Sequence, residues 1–159
     1  YLHDLIDVDN KSDFCIGVAG YPEKHLESPS LQSDLKRLKE KVDAGADYVV
    51  TQMFFDNSKY FEFVEKARAM GITIPIIPGI KPIAVKKHMQ LLPQVFRVDL
   101  PEDLISAIEK STTAAEVKAV GIEWAIQQSL ELKQAGVPVL HYYSMGKSEN
   151  IRQIAKAVF

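Results

Sequence analysis

The chain has 159 residues, of which 47% are hydrophobic and 25% charged, and a formal net charge of -2, the profile of an ordinary soluble globular domain with one sizeable core. That charge balance excludes a broad nucleic-acid footprint, because neutralising phosphates needs a clustered excess of Lys and Arg. No stretch approaches the roughly 20 apolar residues of a membrane span, and no charged, apolar and small-residue series marks a signal peptide, so the expected compartment is the cytoplasm.

The opening, Tyr1-Leu2-His3-Asp4-Leu5-Ile6, lacks an initiator Met and reads as the end of an amphipathic helix that the polar run Asp9 to Asp13 breaks; the natural polypeptide is expected to extend upstream. Phe14 to Gly20 is a continuous apolar run bounded by turn residues, the pattern of a strand buried on both faces. Its Cys15, the single cysteine, reads as an inert core thiol rather than a nucleophile. After the loop Tyr21 to Pro29, Ser30 is placed to cap a helix with Leu31, Leu35, Leu38 and Val42 on one face and Gly45 as its left-handed stop. Asp47 to Met53 is the second strand.

Asn57 is the expected cap of a helix whose buried stripe is Tyr60, Phe63, Val64 and Ala67, with Gly71 ending it. Ile72 to Ile80 is the third strand, where Pro75 and Pro78 predict an irregular or bulged stretch. Short helices are expected from Val85 to Leu92 and from Glu102 to Lys110, as an insertion rather than a further unit. Thr113 with Glu116 three residues later forms a capping box that opens a long helix through Val117, Val120, Trp124 and Leu132 to Gly136. Val137 to Met145 is the fourth strand and Ser148 to Val158 the closing helix. One domain, 1–159, is the economical count.

Four strands, each leading through a polar loop to an amphipathic helix, make up half of an eight-unit (β/α)8 TIM barrel, whose chemistry sits in the loops after the strands. The expected fold class is therefore α/β, this chain supplying about the second half of such a barrel. Since about eight strands are needed to close the ring, the options are upstream units that complete it, pairing of two copies as a homo-oligomer, or an open doubly wound sheet. The four His are scattered, so no metal site is expected; no Gly-rich phosphate loop occurs. At the exit of the second strand, alternation puts Tyr48, Val50 and Gln52 on one face, and an amide there suits the mixed donor and acceptor edge of a pterin or nicotinamide. Phe54 and Phe55 read as core.

The series Val18-Ala19-Gly20-Tyr21-Pro22-Glu23-Lys24-His25, Lys41-Val42-Asp43-Ala44-Gly45-Ala46-Asp47, Thr51-Gln52-Met53-Phe54-Phe55-Asp56, Ile77-Pro78-Gly79-Ile80-Lys81-Pro82 and Gly136-Val137-Pro138-Val139-Leu140-His141-Tyr142-Tyr143-Ser144-Met145 resembles the methylenetetrahydrofolate reductase family in order and spacing, over nearly the whole chain. The resemblance implies a flavoprotein that passes a hydride from NADH or NADPH to FAD and then to 5,10-methylenetetrahydrofolate, giving 5-methyltetrahydrofolate in one-carbon and methionine metabolism. It matches only the family's second half. The family's carboxylate that assists folate protonation, and an Asp near the flavin ring, belong to the first half, so no catalytic residue is expected here and the isolated chain is expected to be inactive.

By the same resemblance, Tyr21 and His25 match the loop that contacts FAD, Asp34 and Lys41 match cofactor-contacting positions on the following helix, and Gln52 and Tyr143 match the folate side. Spacing alone equally allows Asp34 to complement the helix dipole and Lys41 to lie on a solvated face. Lys147 falls where many members carry Arg; a Lys supplies charge for a folate glutamate carboxylate but not a two-pronged contact. Two rival readings remain. One is a Schiff-base lyase using Lys81 at the end of the third strand; the other is a noncatalytic assembly fragment.

Overall fold

The computed structural model describes residues 14–146 and 148–159. The expected opening helix and Lys147 lie outside the described residues. The elements run β1 (Gly17–Gly20), α1 (Leu31–Asp43), β2 (Tyr48–Met53), α2 (Asn57–Ala69), β3 (Ile76–Ile80), α3 (His88–Phe96), α4 (Glu102–Lys110), α5 (Ala114–Gln134), β4 (His141–Tyr142) and α6 (Ser148–Val158). The strands form one parallel sheet in the order β1-β2-β3-β4. Each strand lies beside its neighbour in sequence, without the reversal of order that defines a doubly wound sheet. The expected α/β class with four parallel barrel-type units is what the chain adopts, with β1 and β4 at the edges of the sheet formed by the described residues.

The helices cover one face of the sheet. Leu35 and Leu38 of α1, Phe63 and Ala67 of α2, Ile122, Ala125 and Leu132 of α5 and Ile154 of α6 close over Val49, Ile76 and Ile80. Along β2, Val49, Thr51 and Met53 are buried while Tyr48, Val50 and Gln52 are half-buried; this second row faces the concave side. A second core gathers Met53, Phe55, Ile83, Leu92, Val98, Leu104, Ile108 and Val117, so α3 and α4 pack beyond the strand ends against α5. Phe54 and Phe55 are core, as read from the sequence. Among the described residues no helix is long and apolar enough to cross a membrane.

Several local expectations hold. Ser30 accepts from the Ser33 N–H, Thr113 and Glu116 form the capping box, α4 has the expected bounds, and Gly45 and Gly71 take positive φ. Others need correction. Cys15 is exposed, because β1 is an edge strand with only Gly20 buried rather than a strand covered on both faces. Asp56, not Asn57, caps α2: its carboxylate accepts from the Ser58 N–H, while Asn57 is turned inward to donate to the Gln128 carbonyl at 3.1 Å and to Glu131 at 2.7 Å. β3 starts at Ile76, not Ile72, since residues 72–75 lead in past Pro75. α3 begins at His88, three residues later than expected, because 81–87 are taken up in a turn. β4 is only two residues long, as a strand with one neighbour pairs only where β3 reaches it.

Pro78 predicted a bulge, and the β2–β3 register does shift between Val50 and Met53. There the Thr51 hydroxyl accepts the Gly79 N–H at 2.9 Å, and the Tyr143 hydroxyl donates to the Thr51 carbonyl at 2.8 Å. A Cβ at Gly79 would lie 2.3 Å from the Thr51 carbonyl oxygen and 2.6 Å from the Tyr143 ring. On the other side, α5 crosses the segment after β3 so closely that a Cβ at Gly121 would sit 1.8 Å from the Ile83 carbonyl oxygen.

Two loops beyond the strand ends are tied together by Glu23, whose Oε2 accepts the Asp99 N–H at 2.9 Å. Its Oε1 is buried with no hydrogen-bond partner. Burial pushes the carboxyl up to about 7, the Asp99 charge adding to the rise and the Asp99 N–H opposing it.

Two outcomes follow. Gly121→Ala should destabilise the fold by roughly 3 kcal/mol through overpacking against backbone, despite the helix-propensity gain of about 1 kcal/mol; a urea midpoint at or above that of the parent would show that the helix is not held this close. For Glu23 the folded pKa lies above the ordinary 4.5, so its contribution is fully present below that value and is lost as pH rises through about 7. Between about pH 5 and about pH 8 the parent should lose melting temperature relative to Glu23→Gln, and parallel melting curves for the two across that range would contradict it.

Candidate functional site

The loop between β1 and α1 is wound onto the first turn of α1. Ser30 caps the helix, so Asp34 falls within its first turn, next to free backbone N–H groups. The Asp34 Oδ2 reaches back to accept the His25 N–H at 2.6 Å, and Lys24, at φ 84, donates from Nζ to the Ser28 carbonyl at 2.6 Å. His25 is thereby set edge-to-face with Tyr21, ring centroids 4.6 Å apart. The His25 Nδ1 accepts the Glu27 N–H at 3.2 Å, which leaves Nε2 to carry the proton of the neutral ring. Burial first, and the Asp34 charge second, hold the Tyr21 phenol above its ordinary pKa.

Tyr21, His25, Asp34 and Lys41 line one cleft of about 220 Å3, together with Arg37 and the glycine end of β1. The side chains of Arg37 and Lys41 have no ion-pair partner among the described residues. Arg37 is the residue for which the sequence offered no separate motif. It lies three positions after Asp34 and four before Lys41, so helical spacing alone aligns all three, and that spacing could have found it.

Gln52 stands on the concave row of β2. Its Oε1 accepts the Met53 N–H at 3.0 Å, so the amide has a local backbone partner. That bond uses one acceptor position of the carbonyl; its second lone pair and the NH2 group are left for a ligand in the recess that Gln52 lines. That recess, about 380 Å3, shares Tyr21, His25 and Glu27 with the first cleft and adds Val95 and Phe96 of α3.

Tyr143 follows β4, its ring against Gly79 and edge-to-face with His141 at 4.7 Å. Burial raises its pKa, with the nearby Tyr21 adding to the rise. It lines a third recess of about 420 Å3 with Met53, Lys81, His88, Val95 and Phe96. Shared walls join the three spaces into one trough, of mixed charge along α1, where Glu27 and Asp34 stand with Arg37 and Lys41, and apolar at α3. The structure thus gathers Tyr21, His25, Asp34, Gln52 and Tyr143 onto one rim, while Lys41 lines the first cleft from the last turn of α1. The α3 residues of this trough carry no local motif, and the sequence pattern places their helix three residues early.

Lys81, the candidate Schiff-base lysine, is buried in this third recess, and burial lowers its pKa. Desolvation of that kind is what a nucleophilic amine needs, but it is equally what an amine awaiting an anionic ligand experiences.

Comparison with known proteins decides the class. A family model described as methylenetetrahydrofolate reductase matches residues 1–158. Methylenetetrahydrofolate reductase 1 of Schizosaccharomyces pombe is 36% identical over 158 residues, covering 97% of this chain and 26% of that protein. Methylenetetrahydrofolate reductase (NADH) 1 of Arabidopsis thaliana is 41% identical over 142 residues, covering 83% and 24%. 5,10-Methylenetetrahydrofolate reductase of Escherichia coli is 36% identical over 151 residues, covering 94% and 51%. The chain therefore spans between about a quarter and about half of the length of these relatives. A solved structure, an uncharacterized protein from Clostridium thermocellum described as binding two copies of 5-methyl-5,6,7,8-tetrahydrofolic acid, superposes with a TM-score of 0.63 at 18% identity, over 91% of this chain and 52% of that one; at that identity the likeness is one of fold. With a family model running from the first residue to the last but one and relatives sharing more than a third of their aligned residues, the chain belongs to the methylenetetrahydrofolate reductase family.

Proposed function

We propose that the protein of which this chain forms part reduces 5,10-methylenetetrahydrofolate to 5-methyltetrahydrofolate with NADH or NADPH, using FAD, and that this chain holds both cofactor and folate along its rim. The observation that carries the reading is the continuous trough, in which a cleft lined by Tyr21, His25, Arg37 and Lys41 opens directly into a recess that Gln52 lines. The donor set fits a flavin dinucleotide. Arg37 and Lys41, without an ion-pair partner among the described residues, offer positive charge for a diphosphate, and Tyr21 with the Nε2–H of His25 offers a stacking surface and a donor. Asp34 acts through the loop, since its carboxylate is engaged in holding His25.

When bound, FAD supplies hydride transfer between the nicotinamide and the folate, chemistry that no side chain performs. The residues of this chain bind and orient. Gln52 donates from its NH2 to a carbonyl or ring nitrogen of the pterin, and Tyr143, its hydroxyl tied to Thr51, presents a fixed ring face against which the folate packs. The acid that assists protonation is expected outside this chain. The NADH named for the Arabidopsis relative and the 5-methyl-5,6,7,8-tetrahydrofolic acid that the Clostridium protein is described as binding agree with the two ligand classes.

The test uses the full-length protein, with bound flavin read from visible absorbance and turnover from folate-dependent NAD(P)H oxidation. Gln52→Ala should lower kcat/KM for the folate by about 10- to 100-fold, the loss of one or two ligand hydrogen bonds, with flavin content unchanged. Lys41→Glu should instead lower flavin content. If Gln52→Ala loses flavin and turnover in step, Gln52 supports structure and the assignment fails.

A further inference from the structure

Lys81 directly follows the last residue of β3 and is only 8% exposed. It lines the recess of about 420 Å3 shared with Met53, His88 and Tyr143, and no Asp or Glu is among the residues of that wall. No hydrogen bond or ion pair with any described residue reaches its ammonium. The Tyr143 hydroxyl on the same wall gives its proton to the Thr51 carbonyl at 2.8 Å. Burial is the one influence on its protonation, and it acts against the charged form.

A desolvated ammonium without a counter-charge is costly, and an apolar side chain of equal length would fill the same volume without that cost. Met is such a side chain, and the surrounding wall of Met53, Leu92, Val95 and Phe96 would accept it. A Lys here is explained physically if the counter-charge arrives with the ligand. The recess has the size and mainly apolar lining of a small-molecule site with few polar groups, so the expected occupant has an apolar body and an anionic oxygen.

We infer that Lys81 anchors a ligand carboxylate in this recess, and that it makes the site select a folate carrying its glutamate over the same pterin without one. This rests on the folate reading above. It also locates the binding cation at the end of β3.

The test is equilibrium titration of the full-length protein with 5-methyltetrahydrofolate and with 5-methyltetrahydropteroate, which lacks the glutamate. Lys81→Met should weaken the first by about 10- to 100-fold and leave the second nearly unchanged, while Lys81→Arg keeps the preference. Without ligand, Lys81→Met should melt at or above the temperature of the parent, because a lone buried charge has been removed. Equal weakening of both ligands, no weakening of either, or a lowered ligand-free melting temperature overturns the inference. If the parent binds neither ligand, the folate reading fails and takes the inference with it; if the parent binds both and Lys81→Met makes no distinction, the inference alone fails.

Discussion

Three strand ends meet at Thr51. Its hydroxyl takes the Gly79 N–H, its carbonyl takes the Tyr143 hydroxyl, and both bonds exist only because residue 79 has no Cβ to occupy the space between them. Pro78 has no N–H to give the ladder, so the regular β2–β3 pairing is interrupted at this point, and a side-chain acceptor replaces a backbone one. A buried N–H left unpaired here would cost about 1 to 3 kcal/mol. The arrangement sets the height at which Gln52, Lys81 and Tyr143 leave the sheet, and therefore the shape of the trough above it.

The same sheet has two unlike faces. On the helical side, Val49, Ile80, Phe63 and Leu132 are closed off from water, and hydrophobic burial there drives the fold. On the concave side, Tyr48, Val50 and Gln52 remain half-open, while β1 and β4 each leave an edge unpaired among the described residues. A barrel segment is expected to look like this: the outer face is completed by its own helices, and the inner face depends on strands from across the ring. The relatives, about twice to four times as long as the matched segment, agree with that division.

Along the rim, charge and polarity are separated by element. Along α1 the cleft carries Arg37 and Lys41 together with Glu27 and Asp34. The α3 end offers Val95, Phe96 and Leu92 with a single buried ammonium, a place for an apolar ligand body. Gln52 stands between, its amide oriented by its own neighbour's N–H.

Patterns of short range are legible in the sequence: the capping box at Thr113, the Ser30 cap, the bounds of α4 and α6, and the parallel βα order all depend on propensity and periodicity within a few residues. The alignment of Tyr21, His25, Asp34, Gln52 and Tyr143 on one rim was also expected, because barrel strands deliver their following loops to the same end. What tertiary structure decided were features with distant causes. Cys15 is exposed where the chain enters an edge strand; Asp56 displaces Asn57 as cap because Gln128 and Glu131, more than 70 positions away, draw Asn57 inward; and β4 shrinks to two residues because, among the described residues, only β3 borders it. The burial of Lys81 without a partner among the described residues belongs to the same class. Sequence determines which residues stand at the strand ends, since that follows from local periodicity, but the surroundings of an amine are set by side chains that only folding brings to it.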